Sequence, residues 1–473
     1  MTGRMTGARK RAGVIAVGAG IVASLAFAAP SFAAPPAAGA NCQPNGRIAA
    51  GGATLANNAQ RIVFEPAFRR EICGPVPGGP TDANNEPNSD TRMVLYNYVG
   101  RPTGSGSGIN GAQCRADAFE GSDVPYTTAQ LALLRAAKPA TTDPNCSLFQ
   151  SLTVPFAPQP AYPDASDATT VGIMSFPLAG SAVAIGYNLT AAACGGSTPP
   201  ASIQLDSLQA SRLFGGDTAT WNDAALVAIQ PVGSTLANCA VGVSRFARLD
   251  NSGTTTIFKS YLNKADGARA LCDGTTWSAR SGQNGSNFPS GGTCTPVSYV
   301  SGNPAVIDAT AGTVGGLGYG DLSDWRVRQP QLGLASVRNQ ANDAYVSPLA
   351  GLGSNCSFAG ASLPAGGANG AVGIAGNAWA SDLPPATNKS DVTFVGAGYP
   401  ICGFTFGLVR PGLSAGAGTG AVARLSDNQR RTLYSYLLFA LSPTTQAQLS
   451  ANFYAPVPAT FLTSIRTGYN SNF

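Results

Sequence analysis

Seven consecutive residues that begin at Arg248 (Arg-Leu-Asp-Asn-Ser-Gly-Thr) bring three kinds of anion donor together. Arg248 supplies a fixed positive charge with forked donors. Ser252 and Thr254 supply hydroxyls, and the amides of Gly253 and Thr254 lie at the positive end of the helix that this segment opens. If the preceding strand continues this far, Asp250 shares the strand face of Arg248 and could hold its guanidinium in place. The segment therefore predicts an oxyanion site.

Two further segments are candidates for the same chemistry, and each has a structural alternative. Gly104–Gly108 (Gly-Ser-Gly-Ser-Gly) lies between a predicted strand and a helix expected to begin near Ile109. Such a run presents amides and hydroxyls to an anion, or it is a flexible linker. Asp123, in Gly121–Pro125, precedes another predicted helix and either contacts a ligand or initiates a turn. The residues alone leave both alternatives open.

The chain contains no histidine. Ser-His-Asp triads, Cys-His pairs, a histidine general base and histidine-containing zinc sites are therefore excluded. There is also no Walker A loop, G-x-S-x-G elbow or EF-hand loop. Gly416–Ala421 matches the loose pattern G-x-G-x-x-G/A, but it lacks the strand–turn–helix context. Because the carboxylates are sparse and scattered as well, the sequence favours a binding protein without cofactor or metal over a hydrolase.

Apolar strand-like runs alternate with helical patterns, which favours an α/β fold with largely parallel strands. The predicted strands are Met93–Val99, Val171–Phe176, Ala182–Tyr187, Val241–Phe246 and Phe404–Val409. The predicted helices are Thr128–Ala137, Leu205–Phe214, Thr255–Asn263 and Asp427–Leu441. The uncharged stretch Thr169–Gln204 is interpreted as buried strands and not as a membrane span, since it contains Pro177, Asn188 and many β-branched residues. Gly74–Ser89 and Gly274–Thr295 are predicted surface insertions.

Residues 1–33 have the pattern of a secretory signal. Four basic residues precede the apolar run Ala12–Ala29, and Ser31-Phe32-Ala33 fits a cleavage site, so the exported chain is expected to begin at Ala34. The alternative, a transmembrane anchor, is disfavoured because the run is short and Gly-rich. Cleavage removes four basic residues and no acidic one, so the formal net charge falls from +5 to +1. The charge therefore predicts binding to neither nucleic acid nor anionic membranes.

All ten cysteines lie in the expected exported part. They are Cys42, Cys73, Cys114, Cys146, Cys194, Cys239, Cys272, Cys294, Cys356 and Cys402. An even number in an exported chain predicts disulfides, and no C-x-x-C pair suggests a metal site. The sequence does not decide the connectivity; pairing between neighbours is the hypothesis adopted, because each successive pair brackets a Gly/Pro/Asn-rich stretch. The residues before Cys42 do not form a lipobox.

In this order, Gly104–Gly108, Phe119–Pro125 and Arg248–Thr254 resemble the Gly-Ser, Phe-Gly-x-Ser-Asp-x-Pro and Arg-x-Asp-Gly-Ser-Gly-Thr segments of one family. The family is the phosphate-binding proteins that serve ABC-type phosphate importers. Further similar segments are Phe176–Asn188, Leu205–Asp223, Gly318-Tyr319 and Tyr454–Pro458. Gly51–Leu55 and Gly398–Phe404 are most similar to the DING-type subgroup, although its Asp-Ile-Asn-Gly start is absent.

The resemblance implies a two-lobed α/β fold, the type II periplasmic-binding-protein fold, with two crossing hinge strands and phosphate in the cleft. Lobe 1 would be residues 34–183 plus 404–473, and lobe 2 residues 184–403. The implied phosphate ligands are Thr54, Leu55, Ser105, Asp123, Arg248, Ser252, Gly253 and Thr254. Leu55 stands where the family often has Phe, and Ala56-Asn57-Asn58 departs from the family's Pro-rich continuation.

By the same resemblance the chain is expected to be an exported monomer that binds inorganic phosphate and passes it to an ABC permease. It would act in the periplasm, the cell envelope or the medium, without insertion into the membrane after signal cleavage. Asp123 would accept the proton of HPO4²⁻, which sulfate lacks. One alternative is a released scavenging or surface-interaction protein with the same cleft but no transporter. A phosphatase is the other, and release of phosphate from an ester by the metal-free protein would support it.

Overall fold

The computed structural model describes residues 46–73, 94–98, 100–114, 117–127, 129–130, 146, 149, 173–280, 287–351, 353–358, 361–373, 379, 396–409, 425 and 427–473. All of them belong to one compact unit, Pro36–Phe473. The predicted signal (residues 1–33) and the predicted insertion Gly74–Ser89 lie outside the described residues, as does all but two residues of the predicted helix Thr128–Ala137.

The described residues form short strands and helices in alternation. The strands are β1 (Ile48–Gly52), β2 (Val94–Tyr96), β3 (Phe119–Ser122), β4 (Met174–Asn188), β5 (Gln204–Leu205), β6 (Ser244–Arg248), β7 (Val297–Val300), β8 (Gly316–Asp321), β9 (Gly333–Leu334), β10 (Ser336–Asn339), β11 (Ala344–Val346), β12 (Leu349–Ala350), β13 (Gly353–Ser354) and β14 (Cys402–Val409). The α-helices are α1 (Glu65–Phe68), α2 (Ser105–Cys114), α3 (Ser207–Gly215), α4 (Ala224–Ala228), α5 (Gly253–Asp266), α6 (Gly302–Gly312), α7 (Leu322–Arg328), α8 (Gly367–Ala371), α9 (Asp427–Ala440), α10 (Pro443–Gln448) and α11 (Ala459–Asn472).

Nine strands form one sheet in the order β2-β1-β3-β14-β4-β8-β6-β7, with β9 also paired to β4. Strand β4 joins the two halves of this sheet, because its residues up to Ala182 pair with β14 and those from Val183 onward pair with β8. The strands at each end of the sheet are parallel, whereas β14 and β4 run antiparallel to their neighbours. The expectation of largely parallel pairing is therefore wrong for the centre. These central strands are buried along almost their whole length, and such continuous apolar runs are typical of parallel sheets.

The two strands predicted at Val171–Phe176 and Ala182–Tyr187 are one strand, β4. Pro177, which lies between them, has no amide to donate to a neighbouring strand. In the structure the register between β4 and β14 shifts opposite this proline, between Thr405 and Phe406. This irregularity allows β4 to continue through Pro177 and to span both halves of the sheet.

Two elements that carry candidate site residues begin or end at other residues than predicted. Strand β6 ends at Arg248 and not at Phe246, so Arg248 lies at the carboxyl end of a sheet strand. Helix α2 begins at Ser105 and not near Ile109, so the Gly-Ser run is the first turn of a helix. A Cβ on Gly108 would lie 1.9 Å from the Gly121 carbonyl oxygen, so glycine is required for α2 to pack directly on β3.

Helix α5 begins at Gly253, two residues before the predicted start, because Ser252 acts as its N-cap. The Ser252 hydroxyl accepts a hydrogen bond from the Thr255 amide at 3.1 Å. A serine N-cap satisfies one of the amides that the first helical turn leaves unpaired. The cap therefore fixes where the helix begins and presents its first amides beside Arg248.

Four disulfides join cysteines that are neighbours in the sequence, which is the pairing adopted above. They are Cys114–Cys146, Cys194–Cys239, Cys272–Cys294 and Cys356–Cys402. The remaining expected bond involves Cys42, which lies outside the described residues. Within the ranges given above, no helix combines the length and the apolar character needed to cross a bilayer.

Candidate anion-binding site

The guanidinium of Arg248 is fully buried and is held from two sides. Its Nε donates to Asp250 Oδ1 at 2.7 Å and its Nη2 donates to Asp250 Oδ2. On the other side, Nη1 donates to Asn303 Oδ1 at 2.7 Å. A guanidinium has five N–H groups, so two remain for a further acceptor. The prediction that Asp250 holds Arg248 is confirmed.

Asp123 directly follows β3 and lies against the start of α5. Its Oδ2 accepts a hydrogen bond from the Thr254 hydroxyl at 3.1 Å, and its amide donates to Ser105 Oγ at 2.9 Å. A Cβ on Gly253 would lie 2.5 Å from Ser105 Oγ and 2.7 Å from Asp123 Cβ. The structure therefore brings Ser105, Asp123, Gly253 and Thr254 into direct contact. The first two residues adjoin the half of the sheet that contains β3, and the last two adjoin the half that contains β6.

The N-termini of three helices meet around the ion pair that Arg248 forms with Asp250. The Gly106 amide, in the first turn of α2, donates to the Asn251 carbonyl at 2.9 Å. The Gly302 amide, at the start of α6, donates to Asp250 Oδ1 at 2.9 Å. Helix α5 begins two residues after Asn251. Because each helix N-terminus carries a partial positive charge, this arrangement favours an anion.

Thr54 and Leu55 follow β1. The methyl group of Thr54 is 3.9 Å from the position that a Cβ on Gly302 would occupy, so Thr54 lies beside the start of α6. The Leu55 side chain is fully buried in the core, and its carbonyl accepts a hydrogen bond from the Tyr454 hydroxyl at 2.8 Å. Thr54 thus has a hydroxyl to offer to a ligand, whereas Leu55 can offer only its backbone.

Several polar atoms of these residues have capacity for another partner. Among the described residues, Asp123 Oδ1 and Thr54 Oγ1 are buried and make no hydrogen bond. The Ser105 and Ser252 hydroxyls each accept a bond from an amide. Ser105 also interacts with the Asp123 carboxyl, whereas no bond donated by Ser252 is seen among the described residues. A buried polar group left unpaired costs about 1–3 kcal/mol. A small ligand that both accepts and donates hydrogen bonds would satisfy these groups together.

The carboxyl groups of the site differ in their pKa values. Burial raises the pKa of Asp123 to about 6, although the charge of Arg248 and the hydrogen bond from Thr254 act in the opposite direction. Burial also acts to raise the pKa of Asp250, but the hydrogen bonds and charge of Arg248 outweigh it and hold that pKa below its usual value. At neutral pH both are therefore ionised, and the anion must be held by hydrogen bonds more than by net charge.

Asn303 and Thr405 were not predicted from the sequence. Asn303 is fully buried and anchors Arg248, and it follows β7 by only three residues. Thr405 lies on β14, next to the residue that pairs with Ser122, and its buried hydroxyl is close enough to the Asp123 carboxyl to act to lower the pKa of that group. A polar residue just after a strand could have indicated Asn303, but no local pattern indicates Thr405, which comes from the far end of the chain.

Replacement of Gly253 by alanine is expected to weaken anion binding at least tenfold. The new Cβ would meet Ser105 Oγ and Asp123 Cβ at distances below 3.0 Å, so the two sides of the site would have to separate. Gly312→Ala, at the end of α6, is the matched control because no atom lies within 4 Å of its Cβ position. Calorimetric titration and urea unfolding of both variants measure the effect; equal affinities would contradict the close packing.

No protein-family model matches this chain, and no curated protein matches it. Solved structures do match. One is a high-affinity periplasmic phosphate-binding protein, PfluDING, bound with phosphate (17% identity, TM-score 0.51). Others are a phosphate-binding protein from Stenotrophomonas maltophilia (14%, 0.52) and a human phosphate-binding apolipoprotein (17%, 0.52). Each alignment covers 89% of this chain and 93% of the other.

At these identities the likeness concerns the fold. The chain has the mixed α/β architecture of these proteins, the two-lobed type II fold, as the sequence resemblance predicted. A DING protein matches with the same coverage and a TM-score of 0.53. Strand β4, which exchanges β14 for β8 as its partner between Ala182 and Val183, is the element that connects the two halves of the sheet.

Proposed function

We propose that this protein binds inorganic phosphate at the site formed by Arg248, Asp123 and the N-termini of α2 and α5. The observation that carries the proposal is the buried carboxylate of Asp123, which faces a set of anion donors with one oxygen unpaired. The negative charge of this carboxylate would repel an anion that carries no proton. An oxyanion that carries a proton can donate that proton to Asp123 and accept hydrogen bonds with its other oxygens.

The proposed ligand set supplies donors of three kinds. Arg248 has two N–H groups to spare, Ser105 and Ser252 have hydroxyl protons, and the first amides of α5 lie at Gly253 and Thr254. Thr54 adds a hydroxyl, and the backbone at Leu55 completes the set that the resemblance implies. Burial of a charge without such compensation would be costly. The number of neutral donors therefore supports a desolvated oxyanion.

The burial of the site supports a small ligand. Arg248, Ser252 and Thr254 are at most 1% exposed, and Asp123 is 4% exposed. A ligand held by side chains this deeply buried is shielded from solvent, which favours inorganic phosphate over a phosphate monoester with a large ester group. Arsenate has the same shape and also carries a proton, so it is expected to bind as well.

We further propose that the protein is exported and delivers phosphate to an ABC importer, with lobes at residues 34–183 plus 404–473 and at residues 184–403. The disulfides are compatible with export. The alternative, a released scavenging protein without a transporter, keeps the same site. Cell fractionation separates the two: the protein is expected in the periplasm or envelope for transport and in the culture medium for scavenging.

Equilibrium dialysis of the purified protein against radiolabelled phosphate tests the binding proposal. Saturable binding of one phosphate per chain, displaced by arsenate, is expected. Absence of saturable binding after removal of any phosphate that copurifies would overturn it. Incubation of the same protein, freed of metal ions, with phosphate esters tests the proposed lack of catalysis. A sample that binds one phosphate per chain is expected to release no phosphate from the esters.

A further inference from the structure

A second group of buried polar side chains lies where the segment after β1, strand β4 and the C-terminal segment meet. Asp321, the last residue of β8 and the N-cap of α7, is fully buried at its centre. The Ser181 hydroxyl of β4 donates to Asp321 Oδ1, and the Tyr454 hydroxyl is 2.9 Å from Asp321 Oδ2. The proposed phosphate ligands do not include any of these three residues.

The Tyr454 hydroxyl has two acceptors but only one proton. Its oxygen is 2.8 Å from the Leu55 carbonyl oxygen and 2.9 Å from Asp321 Oδ2. A carbonyl cannot donate, so Tyr454 satisfies both contacts only when the proton of the second contact comes from Asp321. The carboxylic acid then donates to Tyr454, and Tyr454 donates to Leu55.

The charges around Asp321 agree with this proton count. The nearest titratable groups are Asp324, one turn along α7, and Tyr454. Strand β4 contributes only the neutral Ser181. The segment after β1 contributes the neutral Asn58, whose Nδ2 donates to Asp324 Oδ1 at 2.9 Å.

Burial raises the pKa of Asp324 to about 7, although the charges of Arg328, at the end of α7, and of Arg248, from β6, act in the opposite direction. No described arginine or lysine forms an ion pair with Asp321. Two neighbouring buried carboxylates cannot both ionise without a large cost. Burial, and then the charge of Asp324, raise the pKa of Asp321 well above its usual range.

We infer that Asp321 is a protonated positioning residue, which holds the Thr54–Leu55 loop in its ligand-binding conformation through Tyr454. This inference rests on the proposed binding of phosphate by that loop. The chain of donors runs from Asp321 on β8 to Tyr454 in the C-terminal segment and then to Leu55 after β1. It therefore connects the half of the sheet that contains Arg248 with the half that contains Thr54.

The protonation state makes a prediction for stability. A carboxyl with a raised pKa in the folded protein binds its proton more tightly there than in the unfolded chain. The folded state therefore loses stability as the pH rises from the usual carboxyl range, about 4, toward the raised pKa. Below that range the contribution of Asp321 to stability does not change with pH, because its carboxyl group is protonated in both the folded and the unfolded state.

Three variants test the inference. Asp321→Asn keeps a neutral donor for Tyr454 and an acceptor for Ser181, although it loses the weaker 3.3 Å bond from the Asp324 amide. It is expected to bind phosphate within about threefold of wild type and to show a smaller decline in stability between pH 4.5 and 8.5. Asp321→Ala and Tyr454→Phe are each expected to weaken phosphate binding about tenfold. Asp343→Asn, at an exposed carboxyl that pairs with Arg338, is the control and should match wild type in both measurements.

Urea unfolding across this pH range is done without phosphate, and calorimetric titration measures affinity. If Asp321→Asn shows the same pH dependence of stability as wild type, Asp321 is not protonated and the inference is wrong. If Asp321→Asn loses as much phosphate affinity as Asp321→Ala does, then a neutral donor at position 321 does not hold the Thr54–Leu55 loop through Tyr454, and that part of the inference is wrong as well. If wild type itself binds no phosphate, the proposed function fails, while the unfolding comparison still decides whether Asp321 carries a proton.

Discussion

Replacement of Arg248 by alanine is expected to weaken phosphate binding by about 2–5 kcal/mol, which is the usual cost of truncating one partner of a buried, hydrogen-bonded charge pair. This corresponds to roughly 30- to 4000-fold in the dissociation constant. The loss has two parts: the ligand loses the two remaining N–H donors, and Asp250 loses the guanidinium that it holds through two hydrogen bonds. Calorimetric titration of the variant with phosphate measures the effect.

Arg280→Ala is the matched control for this experiment. Arg280 also forms an ion pair with an aspartate, Asp273, through Nη2, and its Nη1 donates to Asn287 Oδ1 at 2.7 Å. Arg280 belongs to the segment predicted as a surface insertion and Asp273 directly precedes it, and neither is part of the proposed site. Arg280→Ala is therefore expected to leave phosphate affinity unchanged. Equal losses of affinity in the two variants would contradict the assignment of Arg248 to the site.

Replacement of Asp123 by asparagine is expected to abolish the discrimination between phosphate and sulfate. The two dianions have nearly the same size and shape, so the hydroxyls of Ser105, Ser252 and Thr254 cannot distinguish them. The unpaired Oδ1 of Asp123 accepts a charge-assisted bond from HPO4²⁻, but it faces only lone pairs and negative charge in sulfate. An asparagine amide can donate to either ion, so the variant should bind sulfate.

Competition titrations measure this effect. Wild type is titrated with phosphate in a large excess of sulfate, and the apparent affinity is compared with that of Asp123→Asn under the same conditions. Sulfate should leave the wild-type affinity unchanged and reduce that of the variant at least tenfold, since an unpaired buried acceptor costs ~1–3 kcal/mol or more when charged. Displacement of phosphate from wild type as readily as from the variant would show that Asp123 is not the discriminator.

The pKa of Asp123 gives the same prediction a pH dependence. Because that pKa is about 6 in the ligand-free protein, Asp123 becomes protonated as the pH falls below 6 and can then donate to a sulfate oxygen. Competition by sulfate should therefore increase for wild type between pH 7 and pH 5. Asp123→Asn has no such group, so any change in competition that it shows across this range comes from the protonation of phosphate itself, which makes it the internal control.

The candidate site was more accessible to sequence reasoning than the fold that surrounds it. Arg248, Asp250, Ser252 and Thr254 fall within seven residues, so local strand and helix geometry is enough to predict that Asp250 holds Arg248. The contact between Asp123 and Thr254 joins residues 131 positions apart. Spacing does not predict such a contact, and the expectation that Asp123 belongs to the same site came only from the family resemblance.

The errors in the fold have physical causes. Strand β4 was predicted as two strands, and only the irregular register of β14, more than 200 residues later, shows how the strand continues through Pro177. The start of α2 was placed too late because glycine is a poor helix former, whereas here Gly108 is required for contact with β3. The continuity of β4 and the start of α2 both depend on residues that are distant in the sequence. The same holds for Tyr454, which reaches Leu55 and Asp321 from the C-terminal segment.

The most direct test of the proposed phosphate site is calorimetric titration of the purified protein, freed of any copurified phosphate, with phosphate, arsenate and sulfate at neutral pH. The structure predicts that phosphate and arsenate each bind with a stoichiometry of one per chain, and that sulfate produces no binding heat at concentrations that saturate the other two. Absence of phosphate binding, or sulfate binding of similar strength, would contradict a site in which a buried carboxylate selects an oxyanion by its proton.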